Sequence, residues 1–177
     1  MARTSYLIAG LILIAGARVG VAQQASEEEF KAYQSTMEGR WVGEVTWIAD
    51  WPGLGKKGDK VTGYSAIRAA ADGHALVGHF HGGNGTGRSI TVYDAGAKQI
   101  REMGIDSGGT TWNCMISRQE GHWRSQCTGS LADGTKTEGD YTLYISDDGN
   151  THRWTGSTTI GGEAVDPLQD VWTRVGS

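Results

Sequence analysis

TWNCMISRQEGHWRSQCTGS, residues Thr111 to Ser130, sets two alternating runs on either side of one Glu120-Gly121 pair. Glycine supplies the positive φ of a tight hairpin tip, so the run reads as two antiparallel strands joined at Glu120-Gly121. Counting outward from that tip pairs Gln119 with His122, Ile116 with Ser125 and Cys114 with Cys127. Directly opposed residues have Cα atoms about 4.5–5.5 Å apart, within the reach of a disulfide. A bridge closing about fourteen residues stabilises by roughly 3 kcal/mol. Without Cys-x-x-Cys spacing its role would be structural. A three- or four-residue loop would shift the register and leave two packed thiols instead. Trp112, Cys114 and Ile116 share a face with Trp123 and Cys127, while Asn113, Arg124 and Gln126 take the other, so both tryptophans are expected to point inward.

The same punctuation recurs along the chain. Turn signals stand at Asp72-Gly73, Gly83-Asn84, Ala95-Gly96, Gly108-Gly109, Asp133-Gly134, Asp148-Gly149 and Gly161-Gly162. Short strands between such turns, with no helical pattern among them, read as an antiparallel meander. Ten are expected, at 40–49, 60–71, 74–82, 87–94, 98–106, 110–118, 122–130, 136–146, 150–160 and 168–175. A twisted sheet of that size leaves two bare edges unless it closes. Ahead of it, Ser26-Glu27-Glu28-Glu29 forms a capping box and Phe30, Tyr33 and Met37 follow at helical spacing. The expected fold is all-β: a ten-stranded antiparallel up-and-down β-barrel with a short N-terminal helix.

Residues 1–22 carry Arg3, an apolar run from Leu7 to Ala17 and small residues at Gly20 and Ala22. This is the pattern of a cleavable secretory signal, with cleavage near Ala22. The remaining 23–177 have the length of one domain with its own core. A periplasmic or secreted address is therefore expected, where Cys114 and Cys127 meet oxidants. No later segment is apolar enough to insert in a membrane after cleavage. Without the leader, fourteen basic and twenty acidic residues remain. That net negative sign argues against a nucleic-acid or anionic-lipid partner.

HALVGHFHGGNGTGRSITVYD, His74 to Asp94, offers two other chemistries. Its glycines sit at a regular turn, a strand follows instead of a helix, and no Gly-Lys-Ser/Thr is present, so it is no phosphate cradle. His79 and His81 alternate onto one strand face, a geometry that metal-binding barrels use. No third ligand is evident nearby; ordinary surface or cavity histidines are the competing reading, and no metal or cofactor is expected. No Gly-x-Ser-x-Gly or His-Glu-x-x-His occurs. Glu44, Glu102, Glu120, Glu138 and Glu163 are scattered without glycosidase pairing.

Seven tryptophans are many for this length. Their structural use is to fill a barrel core, their functional one to stack on flat ligands. Strand 98–106 mixes polar and apolar residues on both faces, Ile100 beside Glu102 and Met103 beside Arg101, as in a barrel that encloses a ligand. Trp112, Trp123 and Trp154 with Ile116 are the expected ligand contacts.

Gly39-Arg-Trp41-Val-Gly43 after a short helix resembles the opening Gly-x-Trp of calycins, the lipocalin and fatty-acid-binding superfamily. Tyr93-Asp94 with Lys98, and Ile105-Asp106-Ser107-Gly108, resemble a secreted bacterial domain-of-unknown-function family of calycin-like barrels. The likeness runs from about Glu29 to Val175. It implies a ten-stranded barrel with a central cavity, and a basic residue, Arg174, packed over Trp41 in a structural role. Nitrobindin-type relatives bind haem through a histidine near the C-terminus; residues 168–177 contain none, so haem is not expected.

The leading expectation is a lipocalin-like binding protein holding a small, partly apolar molecule. The alternatives are a hydrolase, isomerase or cyclase using His79 and His81, and a carbohydrate-binding module that uses the tryptophans.

Overall fold

The computed structural model describes residues 24–176. The expected leader lies outside the described residues. Ser26 opens α1 (Glu27–Met37): its hydroxyl accepts the Glu29 N–H at 3.1 Å, and the Glu29 carboxylate accepts the Ser26 N–H at 2.9 Å. The box satisfies two donors that a helix start leaves bare. Glu27, Glu28 and Glu29 add negative charge where the helix dipole favours it. Phe30, Tyr33 and Met37, the helical stripe, are all buried.

The strands are β1 (Gly39–Thr46), β2 (Lys60–Ala70), β3 (Ala75–Gly82), β4 (Gly85–Asp94), β5 (Gln99–Asp106), β6 (Thr111–Gln119), β7 (His122–Ser130), β8 (Lys136–Ile145), β9 (Thr151–Ile160), β10 (Glu163–Ala164) and β11 (Leu168–Arg174). Each pairs antiparallel with the next from β1 to β9, and β11 joins β9 to β1. Ten strands thus close an up-and-down barrel with no free edge. The two-residue β10 adds to the side of β9 that β11 occupies further along. It is absent from the ten-strand reading because two residues carry no alternation. The first strand also stops at Thr46 instead of 49: past one last bond from the Trp47 N–H to the Asp59 carbonyl the chain turns into a loop closed by the Trp51–Gly55 bridge.

Register follows the hairpin count. Gln119 opposes His122, Gly121 has φ +73°, and Cys114 opposes Cys127 with Sγ atoms 2.05 Å apart. In the half of the barrel under α1, inward-facing Leu76, Ile100, Ile116, Trp123 and Leu143 pack against Phe30, Tyr33 and Met37. Tyr33 meets Trp123 edge-on at 5.1 Å between ring centroids, a favoured aromatic arrangement.

The closing seam is clamped from β1 and β11. Trp41 and Arg174 are direct partners there, and the guanidinium lies 4.2 Å from the centre of the Trp41 ring. Arg174 donates to the carbonyls of Thr36, Glu38 and Gly149, and the Trp41 indole N–H donates to the Met37 carbonyl at 3.0 Å. The last turn of α1 thereby finds donors for carbonyls that the helix cannot satisfy. Gly39 makes room: at φ +144°, any Cβ there would strike the Arg174 guanidinium.

Arg174→Met keeps length and loses both the cation over the ring and the bonds to helix carbonyls. It should lower stability by about 2 kcal/mol, read as an earlier urea midpoint at unchanged slope.

Candidate functional site

Beyond the packed half, the inward positions turn small. Gly43 and Gly63 face the Trp172 ring, Gly104 the Trp112 ring, and Gly139 and Gly156 the Tyr141 ring. A methyl at Gly104 would come within 2.1 Å of Trp112. Where a strand offers only hydrogen, a large ring lies flat along the wall and leaves the bore open. The result is a cavity of about 360 Å³, walled by Trp47, Trp51, Leu54, Phe80, Trp112 and Tyr141 among others. Phe80 meets Trp47 and Trp172 edge-on at 6.5 and 6.0 Å.

The far end is covered by residues 47–59, whose role the sequence reading leaves open. Trp51 and Gly55 bridge across a tight turn, and the Asp50 carboxylate accepts the Lys57 N–H at 2.9 Å. Pro52 and Leu54 rest on Gly108 and Leu54 on Gly85, where a side chain on either glycine would collide with them. The loop is thus seated on the β3–β4 and β5–β6 turns, with Trp47, Trp51 and Leu54 turned to the cavity.

Glu102 shares the inner face of β5 with Ile100 and Gly104. Its Oε1 accepts the Trp112 indole N–H at 3.0 Å and its Oε2 accepts the Thr91 hydroxyl at 3.1 Å. Burial pushes its carboxyl up, against those two bonds. Glu102 is thereby the residue that positions Trp112. Burial, and then the Glu102 charge, hold the Tyr33 phenol well above its ordinary value.

A second lobe of about 280 Å³ shares Ser65, Ile67, Phe80 and Tyr141 with the first and is completed by Met37, Trp41, His152, Trp154, Asp170 and Trp172. His152 stacks on Trp41 with centroids 3.6 Å apart. Burial and then Arg174 hold its pKa at about 4, although a bond to the Thr36 backbone favours the proton. Burial raises Asp170 to about 6, opposed by the Thr46 N–H that it accepts. Four buried polar side-chain atoms have no partner among the described residues: Trp47 Nε1, Thr110 Oγ1, His152 Nε2 and Asp170 Oδ1. The residues that carry them line these two lobes.

The residues expected from sequence separate. Trp112 stands in the first lobe and Trp154 in the second. Trp123 and Ile116 point inward but sit in the packed cluster under α1 instead of the cavity, because the Glu120-Gly121 tip is at the helix end of the barrel. His79 borders the cavity from its wall strand, yet it alternates with inward Phe80, and its ring turns outward to meet the Arg88 guanidinium. His81 is exposed on that outer face. Catalysis within the bore by this pair does not fit that placement. Among the described residues no three of His, Cys, Asp and Glu converge as a metal site requires. Trp47, Phe80, Tyr141, His152, Asp170 and Trp172 are site residues the sequence reading missed; their alternation was visible, their depth was not.

Fold and site together define a closed antiparallel β-barrel with a two-lobed interior cavity. No family model matches the chain, and no curated protein matches it.

As pH rises the unfolded chain ionises Asp170 first, and above about 6 the folded chain carries the buried charge at a cost on the order of 2 kcal/mol. Asp170→Asn lacks that cost. Its stability relative to wild type should be greatest at pH 7.5 and shrink toward pH 4. Urea denaturation across that range checks it; a pH-independent difference would contradict the buried-charge assignment. His152 is present in both proteins, so its opposite contribution largely cancels.

Proposed function

We propose that the protein is an exported binding protein that holds a small, partly apolar, ring-bearing molecule inside the barrel, as calycins do. The observation that carries this is the ring-walled bore of about 360 Å³ beneath a seated loop, a volume suited to small-molecule sites. Flat faces of Trp112 and Tyr141 laid along glycine walls favour stacking with a planar ligand. Thr110 lines the same bore, and its hydroxyl has no partner among the described residues. An exported address fits the leader pattern and the opposed cysteines, which need an oxidising compartment.

The other readings draw less support. A sugar-binding module uses exposed rings, whereas every tryptophan among the described residues is buried or half-buried. An enzyme built on His79 and His81 would have one ring held against Arg88 and the other exposed on the outer face, although His79 borders the cavity.

Titration with N-phenyl-1-naphthylamine tests the container. Dye emission should rise and tryptophan emission fall, and Trp112→Leu should weaken binding by about three- to tenfold, the worth of one stacked ring. Mass spectrometry of denatured, host-exported protein should find a released small molecule. Silent dye emission together with no released compound would overturn the proposal.

A further inference from the structure

We infer that the second lobe is a polar subsite for a nitrogen group carrying at least two N–H donors, an amidine, amine or primary amide, held between His152 and Asp170. The inference rests on the container reading of the interior.

His152 is 2% exposed and Asp170 7%. The His152 ring is fixed by its stack on Trp41 and its bond to the Thr36 backbone, and the nitrogen left without a partner is Nε2. With the other nitrogen donating to a carbonyl, Nε2 presents a lone pair. Burial and the Arg174 charge keep the ring neutral, so Nε2 stays an acceptor. Asp170 accepts the Thr46 N–H, and its Oδ1 has no partner among the described residues. Both residues line the second lobe, and neither acceptor has a donor among the described residues.

Their spacing follows from register. Trp172 opposes His152 and Trp154 opposes Asp170, so His152 and Asp170 are diagonal neighbours on the inner faces of β9 and β11. Diagonal pairs have Cα atoms about 7–8 Å apart, and one nitrogen hydrogen-bonded to both needs acceptors roughly 5 Å apart. A buried acceptor pair discriminates strongly, because a ligand without donors leaves both unpaired. A hydroxyl has one hydrogen to give and serves only one of them. Trp154 and Trp172 supply apolar walls for the part that bears the nitrogen, and the shared Phe80 and Tyr141 open toward the main lobe.

Three probes of nearly one shape separate the possibilities: benzamide, benzamidine and acetophenone, which carries methyl where benzamide carries NH₂. They are titrated at pH 7.5 by calorimetry and tryptophan emission against the full-length mature protein. Benzamide or benzamidine should bind at least tenfold tighter than acetophenone. Preference for benzamidine alone assigns the binding to the Asp170 charge, and equal preference assigns it to hydrogen bonding by either nitrogen group. In Asp170→Asn the Thr46 N–H keeps the remaining oxygen, so an NH₂ donor replaces the acceptor and the preference should fall to within twofold. His152→Phe keeps a ring against Trp41 and should lose most of the preference too; near-ultraviolet circular dichroism verifies that each variant is folded.

Equal affinities of all three probes in the wild type overturn the subsite and leave the container standing. The same holds if none binds while N-phenyl-1-naphthylamine does, or if a bound water keeps both acceptors so that benzamide gains nothing. A protein that binds neither these probes nor the dye overturns both readings.

Discussion

The Arg174 guanidinium, lying between the Trp41 ring and the final carbonyls of α1, is the contact on which the remaining architecture depends. A meander closes only if its last strand finds its first, and Trp41 and Arg174 are the pair that meet there. The same cation satisfies carbonyls at the helix end, where a positive charge also complements the dipole. One residue thus joins the barrel seam to the plug at its end. Trp41 in turn presents its ring to His152, so the clamp sets one wall of the second lobe as well.

From that end the interior divides by side-chain size. Next to the helix, Leu76, Ile100, Ile116, Trp123 and Leu143 interdigitate with Phe30 and Tyr33 and fill the bore. Further along, glycines on inner faces let Trp112, Tyr141 and Trp172 lie flat, and the bore stays open. Flat rings need something to hold their orientation. For Trp112 this is the buried Glu102 carboxylate, for Tyr141 the Thr158 hydroxyl at 2.8 Å.

Charge is handled differently inside and out. Carboxylates on the outside, such as exposed Asp50 and Asp148 and half-buried Asp94, are held low by hydrogen bonds they accept, backbone N–H groups among them. Inside, Glu102 and Asp170 are pushed up and His152 down, because burial penalises whichever form carries charge. Near neutral pH the second lobe therefore holds a neutral His152 beside an ionised Asp170, two acceptors in place of an ion pair.

The sequence by itself determined the strand count of the barrel, the capping box at Ser26 and the pairing of Cys114 with Cys127. Each of these is a local matter of period, turn chemistry or counting from a tip, and nearby residues decide it. Strand alternation likewise placed Trp112, Trp123 and Ile116 on the inner face. It carries no information about depth along the axis, so a cavity wall and a core position looked alike. Which rings meet glycines on neighbouring strands, how residues 47–59 seat on two turns over sixty residues away at their farthest, and which buried atoms lack partners were decided by tertiary structure. His152 and Asp170 show why: eighteen residues apart in the chain, they become diagonal neighbours only through the β9–β11 register. That register is set where the barrel closes, and closure is a property of all ten strands together.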